Sequence, residues 1–324
     1  MTFSNKSQFS NDKLLINNLV FFSGMGRSGK TLLSKVLPSL KNFEQVEFVE
    51  FFENILAGAA LNKVSLDFAK SFIITTFNEL AYNKLLGRKL NFRSLDITSV
   101  KNFKNKHIYE NRLKLPEGDQ VIKRLKSNKN FFPYMTHDFM PHFQLLKKMN
   151  FNFKTIQMYR NPFDVVFSTH KQGWGTRHLT DPRNFSLSIK YKNYLTPWYV
   201  AHFQKEWFNM NPVERCAANV IKTTNLSILN HKANKNNKKI LTVSYEKFVE
   251  NTHSEISRIC IFLRTKKTKF TKKALIKEKC PKLINKSIQE EKRKFIQSNV
   301  SKKLYKQLEN LSENYKKNLY NLDI

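Results

Sequence analysis

Leu19-Val20-Phe21-Phe22-Ser23-Gly24-Met25-Gly26-Arg27-Ser28-Gly29-Lys30-Thr31 is the stretch on which the reading of this chain turns. Four apolar residues ending at Ser23-Gly24 predict a short strand buried on both faces. From Thr31 to Leu40, the residues Leu32, Leu33, Val36, Leu37 and Leu40 recur at helical spacing. Between them, Gly24 to Thr31 fits the pattern G-x-x-x-x-G-K-[ST]. A glycine-rich turn between strand and helix aims backbone N–H groups at one point, where the helix dipole favours an anion. Arg27 and Lys30 add side-chain charge, and the glycines let a phosphate approach the backbone. The bland alternative is an ordinary strand-to-helix turn, and the correct flanks weigh against it.

Working outward, Val46 to Phe52 reads as a second strand, and Ser65 to Leu86 as a helix through Phe68, Phe72, Phe77, Leu80 and Leu85. Pro116-Glu117-Gly118-Asp119 is a turn, and Phe151 to Tyr159 leads into another buried strand. Asn161-Pro162-Phe163-Asp164 then opens a helix: Asn161 caps it, Pro162 suits its first position, and Asp164 complements its dipole. Asn211-Pro212-Val213-Glu214 repeats that signal. Lys239 to Ser244 is a later strand and Glu255 to Leu263 a short helix. Strands alternating with helices predict an α/β fold, a parallel sheet flanked by helices on both faces. The expected organisation is a disordered polar tail over 1–18, one domain over 19–265, and a basic helical extension over 266–324 packing on that domain. Val300, Leu304, Leu308, Leu311 and Tyr315 form one face of a terminal helix.

The 324 residues are 40% hydrophobic, with 28 Phe, enough for a sizeable core, and carry a formal charge of +32. Two compatible accounts of that charge exist. An A/T-rich genome inflates Lys, Asn, Ile and Phe together, and a basic field attracts anionic partners. Cys216, Cys260 and Cys280 are too widely spaced for a metal-ligand or disulfide pattern, which suits a reducing compartment. Met1 to Asn18 lacks the apolar segment of a signal peptide, and no run reaches the length of a membrane span. A soluble, cytoplasmic protein is expected.

A phosphate loop alone suggests a kinase or nucleotide hydrolase, which also needs a strand-terminal Asp for Mg²⁺. Here Thr155-Ile156-Gln157-Met158-Tyr159 ends in Arg160, and Asp138 is a weak substitute. Arg160 at the strand end and Ser168, about two helical turns beyond Asn161, are spaced to converge on one anion. A small-molecule kinase using Mg-ATP, supported by Lys30-Thr31, is the alternative reading. Nucleic-acid binding is supported by charge alone, with no recognisable module, so no nucleic-acid partner is expected.

Tyr159-Arg160-Asn161-Pro162-Phe163-Asp164-Val165-Val166-Phe167-Ser168, taken with the first loop, resembles the family of sulfotransferases that use 3′-phosphoadenosine 5′-phosphosulfate (PAPS). That family pairs a P-[KR]-S-G-T-T loop with a downstream R-N/D-P-x-D-V-x-x-S segment. The resemblance implies a P-loop-like sulfotransferase fold, transfer of a sulfuryl group from PAPS to a hydroxyl or amine, release of the bisphosphate PAP, and no metal. By position, Arg27, Ser28, Gly29, Lys30, Thr31 and Leu32 would hold the 5′-phosphosulfate, and Arg160 and Ser168 the 3′-phosphate. Gly26 and Lys30 depart from the family's Pro and first Thr. Met135-Thr136-His137-Asp138 is similar to the family's K-T-H-L-P segment, with Met135 in place of Lys. Ile240 to Glu246 is similar to its late strand and Y-E-D-L, with Lys247-Phe248 replacing D-L.

A general base must take the acceptor proton. His137 is the first choice, since imidazole suits neutral pH, against a purely structural role at a strand end. Some family members use a Glu after the first helix. Glu47, Glu50 and Glu53 lie in that region, with Glu50 preferred, against solvated strand-end carboxylates. His142 is a weaker candidate on a helix surface. Gly173-Trp174-Gly175-Thr176-Arg177-His178 is either an acceptor lid or a packed loop, and Trp198 and Trp207 read as core. The lysines between Lys266 and Lys279 are a solvated surface or, if they bind, point to an acidic glycan as acceptor. Neither the acceptor nor the oligomeric state is fixed by these residues.

Overall fold

The computed structural model describes residues 8–11, 13–180, 186–234 and 236–320. Its centre is a five-stranded parallel sheet of β1 (Leu19–Ser23), β2 (Glu47–Phe48), β3 (Phe132–Met135), β4 (Lys154–Tyr159) and β7 (Ile240–Ser244), in the order β2-β3-β1-β4-β7. An antiparallel ribbon of β5 (Ser188–Tyr191) and β6 (Tyr194–Pro197) stands apart from it. β1 lies between β3 and β4, with Phe22 opposite Met135 and Ser23 opposite Gln157. The order of strands reverses across β1, so a crevice opens at the carboxyl ends of the strands, the usual ligand position in such sheets.

The alternation along β1 builds two cores. Leu19 and Phe21 face one side, where Phe21 stacks on Phe52 at 4.6 Å and meets Phe77, Phe139 and Phe153 edge-on. Val20 and Phe22 face the other, against Leu33, Val36, Val243 and Ile259. The first core is covered by α2 (Glu50–Ala60) and α3 (Leu66–Leu85). The second is covered by α1 (Lys30–Val36) and α6 (Thr252–Leu263), with α4 (Pro162–Lys171) and α5 (Pro212–Ala233) lying between these in sequence. A third apolar cluster joins α4 and α5 to α7 (Lys286–Asn299) and α8 (Lys302–Tyr315) through Val166, Ala217, Ile296, Leu308 and Leu311. Burying each such side chain stabilises the fold by about 1.5–3 kcal/mol.

The parallel α/β architecture is therefore the one the sequence implies. Several local signals are met: Ser65 Oγ accepts the Phe68 N–H, Asn161 caps α4 through the Phe163 N–H, and Asn211 with Glu214 forms a capping box. One element differs. The strand expected over Val46 to Phe52 is two residues long, and the chain turns at Val49 into α2. Glu50 and Glu53 in the first turn complement the helix dipole. Phe52, Leu56 and Ala59 then fall on one buried face at helical spacing. The residues placed in a polar tail also make contacts where they are described. Phe9 donates its N–H to Asp67, Leu15 donates to Asn78, and Ile16 is buried in the first core. The basic C-terminal stretch forms a helix over Lys269–Lys277, then α7 and α8, and Leu304, Leu308, Leu311 and Tyr315 are all buried.

Candidate functional site

The carboxyl ends of all five parallel strands meet at one crevice. From β1 comes the loop Gly24 to Gly29, which holds its turn through the Ser28 N–H donating to the Met25 carbonyl at 3.1 Å. Gly29 has φ of +103°, and a Cβ there would lie 2.3 Å from the Tyr245 ring. Only glycine therefore serves at that position, for both conformation and space. Tyr245 follows β7, so the late strand supplies one wall of the loop.

Arg160 leaves the end of β4 and lies over the same Tyr245 ring, its guanidinium 4.3 Å from the centroid. Its Nη1 donates to the Arg27 carbonyl at 3.2 Å, and Arg27 Nε donates to Ser168 Oγ at 2.9 Å. The loop, the β4 end and the face of α4 are thus stitched together by the three residues that the two sequence segments supply. Ser28 Oγ and Arg160 Nε are buried without a hydrogen-bond partner, and buried polar groups in that condition want an acceptor or donor from outside. Thr31 is exposed beside them, whereas the Leu32 side chain belongs to the second core.

Lys30 is buried and turned inward, its Nζ donating to the Gly24 carbonyl at 2.9 Å. Burial pulls its pKa down to about 8, against the opposing pull of Glu53 and Asp138. It braces the loop from beneath. Asp138 is fully engaged, accepting from Gln157 Nε2 and the Met140 N–H at 3.0 Å and from Ser227 Oγ at 2.5 Å.

Next to the loop lies a cleft of about 310 Å³. His137, just beyond β3, borders it, and His137 Nδ1 is 2.6 Å from Glu53 Oε2. Burial acts to raise the Glu53 carboxyl, but His137 and then Lys30 overcome it and hold it below the ordinary carboxylate range. Glu50 lines the same cleft from one turn earlier in α2 and is exposed, while Glu47 pairs with Lys84 at 2.7 Å away from it. His142 lies against Trp198, and burial brings its pKa down to about 4, so it stays neutral.

Trp174 packs against the loop, since a Cβ on Gly26 would meet its ring at 2.3 Å. The Gly173 to His178 segment is therefore both packed and part of the cleft wall. Trp198 is buried yet also faces the cleft, whereas Trp207 is core. Tyr245 was missed as a site residue by sequence reasoning. Its place directly after the strand Ile240–Ser244 was the available signal.

A family model described as "Sulfotransferase domain" matches residues 18–319. The chain belongs to the sulfotransferase family. No curated protein matches this sulfotransferase by sequence. Among solved structures it is similar to the sulfotransferase domain of the olefin synthase of Synechococcus PCC 7002, at 13% identity over 96% of this chain and 98% of that one, with a TM-score of 0.50. The sulfotransferase domain from the curacin biosynthetic pathway is 15% identical over 78% and 75% of the two chains, at a TM-score of 0.42. Sulfotransferase STF9 of Mycobacterium avium is 12% identical over 97% and 78%, also at 0.42. The first of these likenesses establishes a shared fold. Among the described residues of this sulfotransferase, no helix is long and apolar enough to cross a membrane, and no three His, Cys, Asp or Glu residues group as a metal site. The kinase alternative is not favoured by this membership.

Proposed function

We propose that this sulfotransferase moves a sulfuryl group from PAPS to a hydroxyl or amine, leaving PAP, without a metal. The observation that carries the reading is the junction of Arg27, Arg160 and Ser168, which joins the loop after β1 to the segment after β4 at the carboxyl ends of two adjacent inner strands. Arg160 and Ser168 would take the 3′-phosphate. Ser28, Thr31 and the loop N–H groups would take the 5′-phosphosulfate, with Arg27 and Lys30 supplying charge where the leaving phosphate gains it. The partnerless Ser28 Oγ and Arg160 Nε are consistent with such a ligand. Leu32 contributes packing behind the loop.

In the transfer, the acceptor oxygen or nitrogen forms a bond to sulfur as the bond from sulfur to the 5′-phosphate oxygen breaks. His137 takes the acceptor proton, and the Glu53 carboxylate 2.6 Å away fixes the ring and stabilises the imidazolium that forms. Glu50 remains the alternative base at the cleft mouth. Positioning and charge stabilisation supply most of the acceleration.

Calorimetric titration with PAP, against ATP with and without Mg²⁺, tests the donor. Metal-independent binding of PAP in preference to Mg-ATP is expected, and the reverse preference overturns the reading. Arg160→Ala should weaken PAP by about tenfold to a hundredfold, the worth of a charge-assisted hydrogen bond to a phosphate. His137→Ala should lower kcat by about 10²–10⁴-fold with PAP affinity unchanged.

A further inference from the structure

We propose that this sulfotransferase has a second anion site, at the end of α1 opposite the loop after β1, and that it takes a small organic anion carrying a phosphate-like group on an apolar ring. The inference goes beyond the donor assignment and does not rest on it. A hollow of about 430 Å³ lies there between α1, residues 94–104 and the helix Lys269–Lys277. Among the described residues it shares no lining side chain with the cleft at His137. Its size is within the range of small-molecule sites. Its walls are held in place by bonds of their own. Asn102 Nδ2 donates to the Ser94 and Asp96 carbonyls at 2.8 and 2.9 Å, and the buried Gln45 Nε2 donates to those of Ile97 and Ser99 at 2.9 and 2.8 Å. Thr268 Oγ1 ties the start of the helix to the Ser39 carbonyl at 2.7 Å. A preformed hollow spares a ligand the cost of ordering its site.

The charge there is unbalanced. Lys35, Lys104, Lys273 and Lys277 border the hollow, against the carboxylates of Asp96 and Glu278. Each carboxylate already has its own cation: Arg93 lies 2.7 Å from Asp96, and Lys35 lies 2.9 Å from Glu278. Among the described residues, Lys104, Lys273 and Lys277 make no ion pair. Lys273 and Lys277 come from the basic run over 266–279 and stand one helical turn apart on the exposed rim. Lys104 sits deeper, its Nζ donating to the Leu40 carbonyl, and burial pulls its pKa down to about 8 against the opposing pull of Glu44. A cation that has lost part of its water gains most from an anion placed beside it. Phe103 is buried and Phe270 half-buried in the same walls, so an apolar ring finds rings to lie against. Three uncompensated lysines beside an aromatic wall define the class: a negative group on an apolar body.

The test titrates 1-naphthyl phosphate, inorganic phosphate and 1-naphthol by calorimetry into the protein saturated with PAP. Naphthyl phosphate should bind about tenfold or more tighter than inorganic phosphate. Lys277→Glu and Lys104→Met should each weaken it by about tenfold, the worth of one charge-assisted contact, while PAP affinity stays at the parent value. At pH 8 its binding should also draw protons onto Lys104, read as heat that scales with the ionisation enthalpy of the buffer, and Lys104→Met should remove that uptake. Equal affinity in the parent and in Lys277→Glu puts the ligand elsewhere and overturns the proposal, as does no binding at all. Inorganic phosphate binding as tightly as the naphthyl ester overturns the class. If Lys104→Met fails to fold, Lys277→Glu on the exposed rim decides alone. Failure of PAP to bind would sink the donor reading, and the same variants titrated without it would still decide the hollow.

Discussion

Lys30 shows how a single residue can be read correctly as a charge and still surprise in its placement. The pattern G-x-x-x-x-G-K suggests a side chain reaching out to phosphate, whereas its Nζ is buried against the Gly24 carbonyl. A lysine whose folded pKa is about 8, against 10.5 for the free side chain, is carried into the fold at a cost below pH 8. The unfolded chain binds more protons than the folded one between these values, so stability contributed by this group rises as pH climbs from about 8 to about 10.5. Lys30→Met should therefore raise thermal stability at pH 7, by up to about 3 kcal/mol from the size of the shift. The same variant should weaken PAP binding. In the parent, PAP affinity should fall as pH rises through about 8, and calorimetry across pH 6.5 to 9.5 should show that fall absent from Lys30→Met. A variant that melts lower than the parent at pH 7 would mean that the Gly24 contact outweighs the cost of burial.

At the scale of elements, the loop after β1 and the start of α4 were legible because they are local: a strand, a turn and a cap each lie within a dozen residues. Asn161 is the clearest case. Its side chain accepts the Phe163 N–H, and its own N–H donates to Glu246, which is in turn bonded by Tyr315 of α8 and Ser244. The terminal helix thus braces the start of α4, a long-range tie that no pattern in the sequence reveals. Asn161→Ala should cost about 1 kcal/mol in a denaturant melt. It should also weaken PAP, because Ser168 rides on that helix. Loss of stability with unchanged PAP affinity would separate the cap from the site. The pairing of His137 shows the opposite kind of legibility. The resemblance offered Glu47, Glu50 and Glu53 with Glu50 preferred, and the helix that forms in place of the expected strand carries Glu53 one turn deeper than Glu50, against His137. Period, not composition, decided which carboxylate meets the imidazole. If His137 is the base, Glu53→Gln should therefore lower kcat by about tenfold or more with PAP affinity unchanged, since Glu53 pairs with His137.

Across the whole molecule, the charge of +32 and a cleft that bears Glu50 and Glu53 are compatible on the proposed reaction, in which donor and acceptor bind side by side. PAPS and PAP carry several negative charges, and Arg27 and Arg160 meet at the loop where the proposed function would seat them, with Lys30 beneath. A basic surface raises the encounter rate of such an anion and is screened by salt within about 10 Å at 0.1 M. The cleft beside that loop is lined by Glu50 and aromatic rings, so if it takes the acceptor, the same field gives a neutral acceptor no help. Raising ionic strength from about 0.02 to 0.3 M should slow PAP association in stopped flow by tenfold or more. The dissociation rate should change far less, because charges already within a few ångströms of one another are screened less than a distant approach. Binding of a neutral phenol to the PAP-loaded enzyme should be insensitive to the same change. If PAP association were equally insensitive, the lysines would be a matter of composition alone, and the local cluster at the loop would account for donor capture without the rest of the surface.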